Sequence, residues 1–107
     1  MSSLLGEKIK KLRKGKGLTL DKLAELSDSS KSYVWELENK TPPRPSAEKL
    51  SNIAAALDTT LEFLLDESGD VEEEDAADAI FYRNYRKLDI GTKSKIRKIV
   101  DLWDDED

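Results

Sequence analysis

The stretch SSKSYVWELENK, residues 29–40, gathers serines, lysines, glutamates and an outward tryptophan at helical spacing. These side chains suit the reading of a polar edge. Lys and Ser donate to guanine or to phosphate and Glu accepts from a cytosine amino group, each good contact giving about 1–3 kcal/mol of discrimination. That is recognition chemistry rather than catalysis. The 107-residue chain has no Cys and no His, which removes disulfides, thiolate zinc sites, imidazole bases and nucleophilic cysteine together. Neither an enzyme nor a bound cofactor is expected. The acidic runs VEEED (71–75) and DDED (104–107) lack the alternating ligands and central glycine of a calcium loop, so they read as solvated charge and no metal is expected.

Such side chains need a scaffold, and the apolar periodicity supplies one. Leu5, Ile9 and Leu12 recur at i, i+4 and i+7, an amphipathic helix over Leu4 to Lys14 stopped by Gly15 and Gly17. Thr19 caps a short helix from Leu20 to Ser27, with Leu23 and Ala24 inward. SDSS (27–30) breaks it, and Ser30 caps a third helix with Val34 and Leu37 buried and its end near Asn39. TPPRPS (41–46) is a stiff loop because its prolines remove donors and restrict their neighbours. Ser46 starts a fourth helix carrying Leu50, Ile53, Ala54 and Leu57, and LEFLLDE forms a fifth after DTT (58–60). Two short helices joined by a tight turn, the second with a serine cap, are the arrangement of a helix-turn-helix, in which the second helix enters the major groove, but two helices with a polar break also occur in many bundles.

Net charge is −5, but unevenly spread: residues 1–50 hold 11 Lys/Arg against 7 Asp/Glu, residues 68–107 hold 7 against 12. Phosphate contact depends on the field within a Debye length, about 8 Å at physiological salt, so a basic N-terminal half can bind a polyanion beside an acidic tail. Affinity is then modest and steeply salt-dependent. Charges interrupt the apolar positions of the first 25 residues, so no signal peptide and no membrane span is expected, and the protein is read as cytoplasmic. The lysines from Lys8 to Lys16 surround a narrow apolar stripe, which core positions explain better than a membrane surface does.

Residues 18–65, LTLDKLAELSDSSKSYVWELENKTPPRPSAEKLSNIAAALDTTLEFLL, closely resemble the helix-turn-helix domain of the Cro and phage-repressor family, the Xre-type regulators. The resemblance implies an all-α fold, a five-helix lambda-repressor-like DNA-binding bundle, and operator binding on double-stranded DNA by a homodimer. By it Ser30 caps the recognition helix, and Lys31, Ser32 and Glu36 fall where such regulators face base edges, with Trp35 on the same surface. Glu36 has a second reading as a solvated carboxylate, and Trp35 as a partly buried cover for the core edge. Lys40, Thr41 and Arg44 match the family's phosphate-contacting loop, and Arg13 and Glu38 match an internal ion pair joining the first and third helices. Asp28 and Asp58 stand where the family usually has glycine; Asp tolerates left-handed backbone, so the fold survives with a less positive field. Leu20 takes a place often held by a polar phosphate ligand.

The expected division is a DNA-binding domain over 1–67, an acidic linker over 68–78 that turns helical toward its end, and a C-terminal helical hairpin over 79–107. In the hairpin Phe81, Tyr85 and Leu88 repeat at helical spacing, as do Ile96, Ile99 and Trp103 after DIGT (89–92). That apolar face must be covered, by a twin chain first of all or by a regulatory protein partner. Two functions are therefore weighed. One is a sequence-specific transcriptional repressor; the other is an antitoxin-like or adaptor module that uses the same fold on a protein partner.

Overall fold

The computed structural model describes residues 3–40 and 45–104. Seven helices follow in order: α1 (Leu4–Gly15), α2 (Leu20–Leu26), α3 (Lys31–Asn39), α4 (Ala47–Ala56), α5 (Leu61–Leu65), α6 (Glu73–Arg86) and α7 (Ile90–Asp104). Among the described residues there is no strand. A hydroxyl starts each of the first five. Ser3, Thr19, Ser30, Ser46 and Thr60 have extended backbone, and each side chain accepts from the amide three residues on. The α2–α3 and α4–α5 turns each carry an aspartate, Asp28 and Asp58, at φ 55°, the left-handed geometry for which glycine is the usual choice.

The core lies where these helices meet. Ile9 of α1, Leu23 of α2, Val34 and Leu37 of α3, Ile53 of α4 and Leu64 of α5 are all fully buried. α1 approaches α3 closely enough that Gly6 sits directly against the α3 backbone: a Cβ there would lie 2.4 Å from the Leu37 carbonyl oxygen. Across the bundle, the Lys8 ammonium donates to the carbonyls of Phe63 at 2.7 Å and Asp66 at 2.6 Å and sits 4.5 Å from the Phe63 ring centroid. It thereby adds a charged donor at the C-terminal end of α5, where the Phe63 carbonyl also accepts from the Asp66 amide.

α6 begins at Glu73, within the stretch expected as an acidic linker, and docks on the bundle rather than standing clear of it. Ala76 joins the core and Ile80 is buried, while Lys11 reaches Glu73 at 3.3 Å. Val71 also packs against the core. Glu72 makes no side-chain cap bond, so the acidic first turn of Glu73, Glu74 and Asp75 stabilises the positive helix end instead. α7 starts earlier than the DIGT reading implies because Asp89 accepts from the Thr92 amide at 2.7 Å, and that bond together with the Thr92 hydroxyl holds the Asp89 carboxyl below its ordinary value. In the loop before α6, the Ser68 hydroxyl and the Val71 amide lower Asp66 in the same way.

The hairpin extends the molecule to 49 × 29 × 22 Å, with a radius of gyration of 16.3 Å. A compact domain of this length has about 13 Å. The excess comes from α7 and the end of α6, where Phe81, Tyr82, Ile99, Val100, Leu102 and Trp103 are exposed. Among the described residues no helix is long and apolar enough to cross a membrane.

Candidate nucleic-acid interface

α3 is divided by face. Val34, Leu37 and Glu38 are buried, whereas Lys31, Ser32, Trp35 and Glu36 are exposed, and their i, i+1, i+4, i+5 spacing places them on one side. These four residues line a single shallow depression of about 250 Å³. The Ser30 hydroxyl oxygen accepts from the Tyr33 amide at 3.0 Å, so it fixes where α3 begins.

Two of the outward side chains meet a partner. The Lys31 ammonium lies 3.6 Å from an Asp21 carboxylate oxygen on the first turn of α2. Trp35 is 44% exposed, so part of its ring is open to a ligand while the rest is covered, and the Lys40 ammonium sits 5.6 Å from its centroid. Asn39 donates its side-chain amide to the Trp35 carbonyl at 3.0 Å. Thr41 and Arg44 lie outside the described residues, so of the loop only Lys40 is placed against α3. Leu20 packs against the core and offers nothing to a phosphate.

Arg13 and Glu38 are brought together behind this face. Arg13 donates through Nε to Glu38 Oε2 at 2.7 Å and through Nη2 to Oε1 at 3.0 Å, and through Nη1 to the Leu18 carbonyl at 2.8 Å. With side chains 11% and 1% exposed, the pair ties α1 to α3 and points away from any ligand on the outer surface.

The C-terminal residues divide into two groups. Phe81 and Tyr85 stack with centroids 6.2 Å apart, and with Tyr82, Ile96 and Val100 they line a groove of about 290 Å³. Leu88, Ile99 and Trp103 lie outside that groove and are exposed, Trp103 by 70%. Lys93 and Arg97 place their charges 5.6 and 5.9 Å from the Tyr85 ring. Sequence reasoning missed Gly6 and Asp21. A glycine inside a helical pattern is a signal of close packing, whereas nothing in the spacing linked Asp21 to Lys31.

Compared with known proteins, the Helix-turn-helix family model matches residues 9–64, which span α2, α3 and the turn between them. The chain belongs to the helix-turn-helix family. Its helix-turn-helix relatives include the transcriptional regulator SinR of Bacillus subtilis (strain 168), 36% identical over 76 residues, 71% of this chain and 68% of that protein. SinR of Bacillus licheniformis is 34% identical over the same length and shares. A crystal structure of SinR in complex with DNA, 39% identical, aligns with 58% of this chain and 98% of that one at a TM-score of 0.55. The complex of SinR with SinI, 28% identical, aligns with 96% of this helix-turn-helix chain and 99% of the other at 0.58.

Proposed function

We propose that the protein is a sequence-specific DNA-binding transcriptional repressor that works in the cytoplasm as a homodimer, with α3 lying in the major groove. The observation that carries this reading is the α3 surface itself: four exposed polar and aromatic side chains over one shallow depression, rigidly backed by the core and the Arg13–Glu38 pair. A relative 39% identical has been solved on DNA with this same bundle. Lys31, Ser32, Trp35 and Glu36 face base edges, and Lys40, Thr41 and Arg44 contact phosphates. Each member of a dimer then delivers one recognition helix to half-sites about 34 Å apart.

Binding selection on random duplexes followed by a salt titration of the winner tests this. Lys31→Ala should change the preferred base at one position and cost about 1–3 kcal/mol on the operator. Arg44→Ala should weaken all duplexes alike and lower the salt slope by about one. A selection that enriches no sequence overturns the reading, and an unchanged slope in Arg44→Ala overturns the loop assignment.

The α6–α7 groove favours a second role, binding a regulatory protein, as SinR does with SinI. We assign the hairpin first to dimerisation. Truncation at Ser68 is a poor test because it also removes Val71, Ala76 and Ile80 from the bundle. Phe81→Ser with Trp103→Ser changes only exposed positions, so the fold should persist while sedimentation shows a monomer. A dimer that survives both changes removes the hairpin from the interface and leaves its face to a protein partner.

A further inference from the structure

The lysines of the helix-turn-helix region are engaged within the protein. Between Leu18 and Leu65 the chain has four lysines, and all four are partnered inside the protein. Lys22 lies 3.7 Å from Glu25, Lys31 lies 3.6 Å from Asp21, Lys40 sits over the Trp35 ring at 5.6 Å, and Lys49 donates to the Asp28 carbonyl. The Asp21–Lys31 pair differs from the others in position. It bridges the first turns of α2 and α3, and Lys31 also lines the depression with Trp35 and Glu36.

Building on the DNA reading above, we infer that Asp21 is a specificity-determining positioning residue: its carboxylate holds Lys31 against indiscriminate phosphate contact and releases it to a base edge. Both side chains are well exposed, at 61% and 73%, so the pair is weak and exchangeable. That weakness is what makes it selective. A single phosphate contact made by a surface lysine is itself worth little, and a neighbouring carboxylate competes with it directly. The two acceptors of a guanine edge in the major groove offer more than a lone phosphate oxygen and displace Asp21. Non-specific binding, which is almost wholly electrostatic, is therefore suppressed more than operator binding.

The test is fluorescence anisotropy with the full chain on two labelled duplexes of equal length, the selected operator and a scrambled one, each across a potassium chloride series. Asp21→Asn keeps the shape of the side chain and removes its charge. It should tighten the scrambled duplex roughly three- to tenfold and the operator less than about twofold, with the scrambled salt slope steepening by about one as Lys31 becomes a phosphate ligand. In a Lys31→Ala background the same change should alter neither ratio nor slope. Equal tightening of both duplexes, or an Asp21→Asn gain that persists without Lys31, overturns the proposal in favour of a general field effect. Wild-type protein that does not distinguish the two duplexes at all defeats the DNA reading and this inference with it. Thermal melting of Asp21→Asn confirms that α2 remains folded.

Discussion

Glu38→Ala should lower the unfolding free energy by about 3–5 kcal/mol, the usual penalty for leaving one member of a buried ion pair without the other. The geometry places this site at the upper end of ion-pair effects. Glu38 is 1% exposed and Arg13 11%, and the guanidinium makes two bonds to one carboxylate. Removing the carboxylate strands a guanidinium that keeps only the Leu18 carbonyl. Denaturation in urea, read at constant slope, measures the loss. Glu38→Gln, which keeps one acceptor and the side-chain volume, should fall between. Replacing both residues, Arg13→Met with Glu38→Leu, should be milder than Glu38→Ala alone, because two well-packed apolar side chains leave no orphaned charge. A loss below about 1 kcal/mol in Glu38→Ala would mean that water reaches Arg13 and that the pair does little to anchor α3.

The bundle was legible because its local signals agree with its packing. Each of the first five helices opens on a Ser or Thr, and the i, i+3, i+4 apolar residues Leu23, Val34, Leu37, Leu50 and Ile53 are the ones found inside. Asp28 and Asp58 stood where glycine was expected and hold that backbone geometry themselves. What stayed hidden depends on contacts between distant segments. The first turn of α6 is acidic, and that composition looks unfolded, yet two small contacts, Ala76 and Ile80, seat it on the core. Lys8 has the same composition signature as the solvated lysines of α1, and only the approach of α5 gives it acceptors. The outward α3 residues could be placed on a face from spacing, but their restraint by Asp21 and Lys40 could not. Apolar periodicity marked the hairpin face without dividing it; the structure puts Phe81, Tyr85 and Ile96 in one groove and leaves Leu88, Ile99 and Trp103 outside it.

Gly6→Ala should destabilise the bundle by about 1–3 kcal/mol, the range for overpacking, although alanine is intrinsically the better helix residue by about 1 kcal/mol. The sign is decided by what the new methyl would meet. Its carbon would lie 2.4 Å from the Leu37 oxygen and 2.8 Å from the Glu38 oxygen, both backbone atoms that cannot turn aside as a side chain could. α1 and α3 must therefore separate, and the same separation stretches the Arg13–Glu38 bonds that cross the same contact. Two consequences distinguish this from ordinary loss of packing. Gly6→Ala and Glu38→Ala should be markedly non-additive, since each already disturbs the interface the other depends on. Operator affinity should fall further than the folded fraction explains, because α3 is displaced in the molecules that remain folded. Gly15→Ala is the matched control: it lies in the same helix, its Cβ would meet nothing within 4 Å, and the change should be neutral or stabilising by up to about 1 kcal/mol. If Gly6→Ala and Gly15→Ala melt together, the close approach of α1 to α3 is not what sets the recognition helix in place.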